Sequence, residues 1–323
     1  MPEMVAALCK EITIQKDFFG SDEINTIYFG GGTPSLLPIA DCHLLINEIH
    51  KNFKVRADAE ITLEANPDDI NPEKLSGWKA AGINRFSIGI QSFFEEELKW
   101  MNRAHNAAQA KQCIEEVQAA GFKNFSVDLI YGSPLLTDEM WQQNVATALS
   151  YNIPHLSCYA LTVEEKTPLH KQIIQAKKTD VDNEKQARQF LMLMQWLKKA
   201  GYEHYEVSNF AKPGMRSKHN SSYWRGEKYL GLGPSAHSFT GSGRQWNVAN
   251  NSQYIQSIKE GIIPKEEEQL TEVQQLNEYI MISLRTMEGL DFKIIEERWG
   301  SKKRESIQQQ MVPYINSKLV QKN

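Results

Sequence analysis

The chain has no pair of neighbouring cysteines. Cys9, Cys42, Cys113 and Cys158 are its only four, and they lie far apart in sequence. That spacing excludes a disulfide framework and a close-spaced metal set, and it fits reduced thiols buried as small apolar groups. There is no long hydrophobic run either. The longest apolar stretch, Phe190–Leu197, is interrupted by Gln195 and is far too short to cross a bilayer. The N-terminus has no signal-peptide core, because Glu3, Lys10 and Glu11 stand among its apolar residues. Charge of one sign is not in excess: 36 Lys+Arg oppose 40 Asp+Glu, a formal net charge of −4. This balance argues against general affinity for nucleic acid. These observations predict a cytoplasmic chain with no transmembrane segment, compatible at most with peripheral association with a membrane.

What is present is an alternation of strand-like and helix-like segments. Val5, Leu8 and Ile12 give an opening helix its apolar stripe, and Ile24–Phe29 reads as a strand. Leu45, Ile49 and Phe53 mark the next helix. Strands follow at Glu60–Asn66, Arg85–Ile90, Asn124–Tyr131, His155–Leu161 and Tyr202–Val207. Between them, Asn71-Pro72 supplies an N-cap and an N1 proline, with Gly82 as terminator. Asn106 caps a helix through Ala120, and Gly121 ends it. Trp141, Val145 and Leu149 form another stripe, and a helix spans about 182–200. Repeated βα units of this length imply parallel strands with helices packed outside them, as in a barrel or a barrel missing part of its wall.

The most informative string is Phe29-Gly30-Gly31-Gly32-Thr33-Pro34-Ser35, directly after the first strand. Glycines there let backbone N–H groups approach a ligand closely, because no Cβ stands in the way. It is not the G-x-G-x-x-G dinucleotide fingerprint, and no acidic residue stands in the right place about 20 residues later. Glu64, Gln91 and Asp128 each fall at or near the end of a strand. In a parallel barrel the strand C-termini open onto one face, so these residues and the glycine turn converge on one mouth. The alternative is that each caps a helix or satisfies loop backbone.

Five motifs in order carry a resemblance: Phe29–Ser35, Leu63-Glu64-Ala65-Asn66-Pro67, Ser87-Ile88-Gly89-Ile90-Gln91-Ser92, Asn102-Arg103 and Asp128-Leu129-Ile130-Tyr131-Gly132. They resemble the radical S-adenosylmethionine (radical SAM) superfamily, within it the branch of oxygen-independent coproporphyrinogen III oxidase and the haem chaperones of the HemW type. The resemblance implies a partial (β/α) TIM-like barrel. It implies that Gly31, Gly32 and Thr33 hold the methionyl end of S-adenosylmethionine, with Glu64, Gln91, Arg103 and Asp128 on its ribose, amino group and polar shell. A cationic sulfonium and ammonium favour nearby carboxylates, and Arg103 suits a carboxylate in bidentate fashion. The superfamily's C-x-x-x-C-x-x-C loop, whose thiolates hold a 4Fe-4S cluster, has no counterpart in the sequence. The expectation is therefore a shortened chain, already inside its first helix at Met1-Pro2-Glu3-Met4, without cluster ligands or radical chemistry.

Further on, His219-Asn220-Ser221-Ser222-Tyr223-Trp224 and Gly231-Leu232-Gly233-Pro234-Ser235-Ala236-His237 look like the signature of the HemW type. There the resemblance implies haem binding at His219, since a neutral imidazole suits an axial position on haem iron, while Tyr223 and Trp224 suit a flat porphyrin face. The residues alone allow the other reading, a histidine bonded to backbone and aromatics packed into the core. His237 is a weaker second candidate. From Thr271 the texture changes. Thr271 caps a helix through Met287, Asp291 a second ending at Gly300, and a third spans about 302–311 before Pro313, with a strand beginning at Leu319-Val320. The predicted organisation is a barrel core over 1–210, an extension over 211–265, and a small helical, winged-helix-like module over 266–323. The resemblance implies a haem chaperone serving haem-accepting proteins, with porphyrin-decarboxylating oxidase chemistry as the alternative.

Overall fold

A computed structural model describes residues 1–321 of the chain. They form two compact units, Met1–Ser221 and the residues from Ser222 onward. The first unit is built on a seven-stranded sheet. Its strands are β1 (Ile24–Phe29), β2 (Val55–Ala65), β3 (Arg85–Gln91), β4 (Phe125–Tyr131), β5 (His155–Ala160), β6 (Glu203–Glu206) and β7 (Asn209–Ala211). The order across the sheet is β1-β2-β3-β4-β5-β7-β6, so β1 and β6 are its two edges and the barrel is partial. β1 to β5 pair in parallel in sequence order. Helices connect them, including Ile39–Asn52, Pro72–Ala81, Ala107–Ala119 and Asp138–Ser150.

Alternation along each strand decides which side chains meet the helices. Leu63, Phe86, Ile88, Val127, Leu129 and Leu156 are fully buried. Phe86 packs on Trp78 of helix Pro72–Ala81 at 5.6 Å, and Tyr131 on Trp141 of helix Asp138–Ser150 at 5.6 Å. The residues between them are polar: Thr62 and Glu64 on β2, Arg85 and Ser87 on β3, Ser126 and Asp128 on β4, His155 and Ser157 on β5. The register aligns them, with Thr62 opposite Arg85, Glu64 opposite Ser87, Ser87 opposite Ser126, and Asp128 opposite Ser157. The sheet therefore has an oily helix-facing side and a polar inner side.

The helix boundaries follow local chemistry. Asn71 accepts the Lys74 N–H at 2.9 Å, Pro72 fills N1, and Gly82 stops the helix at φ +102°. Asn106 and Gln109 form a reciprocal capping box. Two strands depart from expectation. β2 begins at Val55, five residues before Glu60, because Arg56 and Asp58 are solvent-facing and hide its start. The last parallel strand does not adjoin β5: the chain turns at Val207-Ser208 and returns as β7, which pairs antiparallel with both β5 and β6. Buried Phe210 and Ala211 hold β7 in that place.

The second unit contains a three-stranded antiparallel sheet, ordered β10-β9-β8: β8 (His237–Phe239), β9 (Gly243–Asn247) and β10 (Lys265–Gln269). Helices Asn251–Lys259, Glu272–Ser283, Phe292–Trp299 and Ser301–Asn316 complete it. Thr271 and Asp291 are N-caps as the sequence predicts. The first of the three terminal helices ends at Ser283 rather than Met287, and the third continues through Pro313 to Asn316. Leu319 and Val320 do not start a strand. Both of their N–H groups fold back onto the Tyr314 carbonyl, at 2.9 and 3.2 Å, closing the helix instead. No helix among the described residues is long and apolar enough to cross a membrane.

Candidate functional site

The parallel register brings the C-terminal ends of β1 to β5 to one edge, where the glycine turn, Glu64 and Gln91 lie. The turn after β1 carries Gly31 at φ +79° and Gly32 at φ +71°, both exposed, with open space where a Cβ would stand. Gly30 is different. A Cβ there would lie 2.6 Å from Tyr28 Cε1 and 3.0 Å from Glu64 Oε1, so only glycine lets the backbone pass over these two side chains. Beyond the turn, Thr33 precedes a single 3-10 turn, Pro34–Leu36. The buried Ser35 hydroxyl anchors it by donating to Asp69 at 2.6 Å.

Glu64 is held from two sides. Its Oε1 accepts the Tyr28 hydroxyl at 2.6 Å, and its Oε2 accepts the Gly31 N–H at 3.3 Å. The Tyr28 phenol is pushed far above its usual range by burial and by the Glu64 carboxylate, so it stays a donor. Arg103 reaches in from the segment after helix Glu95–Trp100. Its Nη2 donates to Asn66 Oδ1 at 3.0 Å and to the Gly89 carbonyl at 3.3 Å, while its buried Nε meets no acceptor. Gln91 ends β3 in the left-handed region, φ +66°, and its amide lies over Gly89, 3.0 Å from where a Cβ would stand. Asp128 accepts from Ser87 at 3.4 Å. Burial, then the neighbouring Glu64, push its carboxyl up to about 6, against the pull of Ser157, Arg85 and Ser87.

The structure therefore brings the glycine turn into contact with Glu64, and places both Arg103 and the Gln91 amide over Gly89. Asp128 lies within electrostatic reach of Glu64 and Tyr28. Deeper in, Arg85 and Glu60 form a buried ion pair, Nε to Oε2 3.8 Å. His155 is neutral there, its Nε2 2.7 Å from the Tyr205 hydroxyl.

His219 belongs to the same unit. It lies in the first turn of helix Lys218–Trp224, where Ser217 Oγ accepts the Asn220 N–H at 3.2 Å. Its own N–H donates to Glu60 Oε1 at 3.1 Å. The imidazole stacks on the Tyr28 ring, centroids 4.4 Å apart and planes 12° from parallel, with Nδ1 3.0 Å from Thr26 Oγ1. Burial, with a smaller push from Arg85, lowers it to about 4, so the ring is neutral at pH 7. In the second unit Tyr223 is exposed and meets Tyr229 edge-on at 4.7 Å. His237 is exposed on β8 and stacks loosely on Trp246.

Sequence reasoning missed Tyr28, Asn66 and Ser35 as site residues. The available signal was parity: Thr26 and Tyr28 share the inner side of β1, opposite Glu60 and Thr62.

A family model of the radical SAM superfamily matches residues 10–148. Heme chaperone HemW of Bacillus subtilis (strain 168) is 35% identical over 283 residues, covering 87% of this chain and 75% of that protein. Heme chaperone HemW of Lactococcus lactis subsp. lactis (strain IL1403) is 32% identical over 306 residues, covering 94% and 79%. The chain belongs to the HemW family. Coproporphyrinogen III oxidase (HemN) from Escherichia coli, a radical SAM enzyme, shares the fold, with a TM-score of 0.84 and 24% identity over 100% of this chain and 78% of that one.

Membership of the HemW family brings S-adenosylmethionine and a 4Fe-4S cluster as the superfamily's cofactors. The glycine turn, open above Gly31 and Gly32 and held to the Glu64 carboxylate through the Gly31 N–H, fits the first. The cysteines do not fit the second. Cys42, Cys113 and Cys158 are buried, with thiols pushed up by desolvation, and the described residues hold no cluster of three or more metal-ligating side chains.

Proposed function

We propose that this chain binds haem and S-adenosylmethionine and passes haem to acceptor proteins, a reading supported by relatives named heme chaperones. Gly31, Gly32 and Thr33 take the methionyl end of S-adenosylmethionine. Glu64, Gln91, Arg103 and Asp128 surround its amino group, ribose and polar shell. His219 is the haem ligand. The observation that carries this reading is a neutral, oriented imidazole in the His219–Trp224 string, directly against the strand that leads into the glycine turn. Thr26 at Nδ1 and the Tyr28 ring on one face hold the imidazole in a fixed orientation, which supports the reading. The four free cysteines, three of them buried, suit the reducing cytoplasm.

Haem titration tests the reading. Wild type is expected to give a saturable Soret shift that His219→Ala loses while its far-UV circular dichroism is kept. An unchanged Soret response in His219→Ala removes the ligand assignment. Conversion of coproporphyrinogen III to protoporphyrinogen, without haem retention, would favour oxidase chemistry instead.

A further inference from the structure

We propose that Tyr28 and His219 are a positioning pair for Glu64, so that the histidine assigned to haem also supports the S-adenosylmethionine site. The inference rests on the reading of the glycine turn given above. Three contacts in series carry it. Thr26 and the Glu60 carboxylate fix His219 through its Nδ1 and its backbone N–H. The His219 ring backs the Tyr28 ring face to face at 4.4 Å. The Tyr28 hydroxyl then donates to Glu64 Oε1 at 2.6 Å, leaving Oε2 toward the Gly31 N–H.

Each link has a physical reason to be rigid. The Tyr28 hydroxyl is held against the Glu64 carboxylate at 2.6 Å, a short bond with a charged acceptor. A hydrogen bond with a charged acceptor is short and about twice as strong as a neutral one. From above, the Gly30 backbone closes over both groups so tightly that a Cβ would overlap the Tyr28 ring. Glu64 is therefore clamped between the turn and the phenol, with one oxygen at the N–H of the turn that takes the methionyl end. A carboxylate in that place selects the ligand's ammonium group. Tyr28 and His219 touch neither ammonium nor ribose in this scheme; they act through Glu64.

The test is calorimetric titration of the full chain with two ligands. S-Adenosylmethionine carries the ammonium group, and 5′-methylthioadenosine lacks the whole amino-acid part. Glu64→Gln is expected to weaken S-adenosylmethionine tenfold or more and to leave 5′-methylthioadenosine within twofold. Tyr28→Phe, which keeps the stacked ring and removes only the hydroxyl, is expected to weaken S-adenosylmethionine about tenfold with the same selectivity, the size of one hydrogen bond to a charged group. His219→Ala should follow in the same direction by several-fold, and His219→Phe, which restores a flat ring, should recover most of the loss. Gly30→Ala gives the same signature by displacing the phenol from the other side.

A general packing defect would weaken both ligands equally, and that outcome overturns the proposal. Loss in Glu64→Gln with full affinity in Tyr28→Phe overturns the positioning pair and leaves the site reading standing. No effect of Glu64→Gln, or no binding of S-adenosylmethionine by wild type, overturns both.

Discussion

Asp128 shows how one carboxyl can record the state of the whole mouth. Its acidity is weakened to about 6, first by burial and then by Glu64. A carboxyl raised in the folded state binds its proton more tightly there than in the unfolded chain. The associated stability is fully present below about pH 4 and is lost as pH rises through about 6. Asp128→Asn is therefore expected to be more stable than wild type at pH 7.5, by up to about 3 kcal/mol, with the difference vanishing near pH 4. Urea unfolding of the two proteins across that range checks the prediction; a difference independent of pH would contradict it. At this scale the sequence was partly legible. Glu64, Gln91 and Asp128 could be put on strands because each falls at or near the end of a segment whose other residues alternate. Tyr28 could not, because a tyrosine in an apolar strand reads as filler until its hydroxyl is seen to meet Glu64.

At the scale of elements, legibility tracked the strength of local signals. β1, β3, β4 and β5 have alternating faces bounded by glycine turns or capped helices, and all emerged close to their expected limits. β7 is three residues long, and β10 is Lys265-Glu266-Glu267-Glu268-Gln269, exposed throughout, so neither has an apolar pattern to detect. Helix Lys218–Trp224 is polar for five of its seven residues and reads as loop, although Ser217 begins it. Where caps exist they have measurable weight. The Asn106 side chain takes the Gln109 N–H at 2.9 Å and Gln109 returns the bond to the Asn106 N–H at 2.9 Å. The same helix start is tied to Glu95 through the Ala107 N–H at 3.1 Å, which closes the loop carrying Arg103. Asn106→Ala is expected to cost about 1 kcal/mol in chemical unfolding, and Asn106→Gly only a few tenths, since glycine leaves the N–H open to water. Equal losses in both would mean that the box contributes little beyond backbone geometry.

On the scale of the molecule, the first unit keeps four histidines neutral inside it. His105, His155, His204 and His219 are all pushed below the usual imidazole range, chiefly by desolvation, and His155 and His219 also by Arg85. Such a group contributes stability that is present above its unfolded value near 6.5 and lost as pH falls. Buried acids work against this trend: Asp128, Glu97 and Glu206 are pushed up and prefer the proton when folded. The four buried histidines take up protons on unfolding once pH falls below about 6.5, and that contribution favours unfolding as acid is added. The expected outcome is a midpoint of thermal unfolding that falls steadily from pH 7 to pH 5. His155 dominates the expectation because it is fully buried beside a guanidinium and bonded only through Nε2. His155→Gln retains a polar partner for Tyr205 but cannot be protonated, so it should lower stability at pH 7 and flatten the slope toward pH 5. A variant whose slope matches wild type would assign the acid sensitivity to the other three histidines.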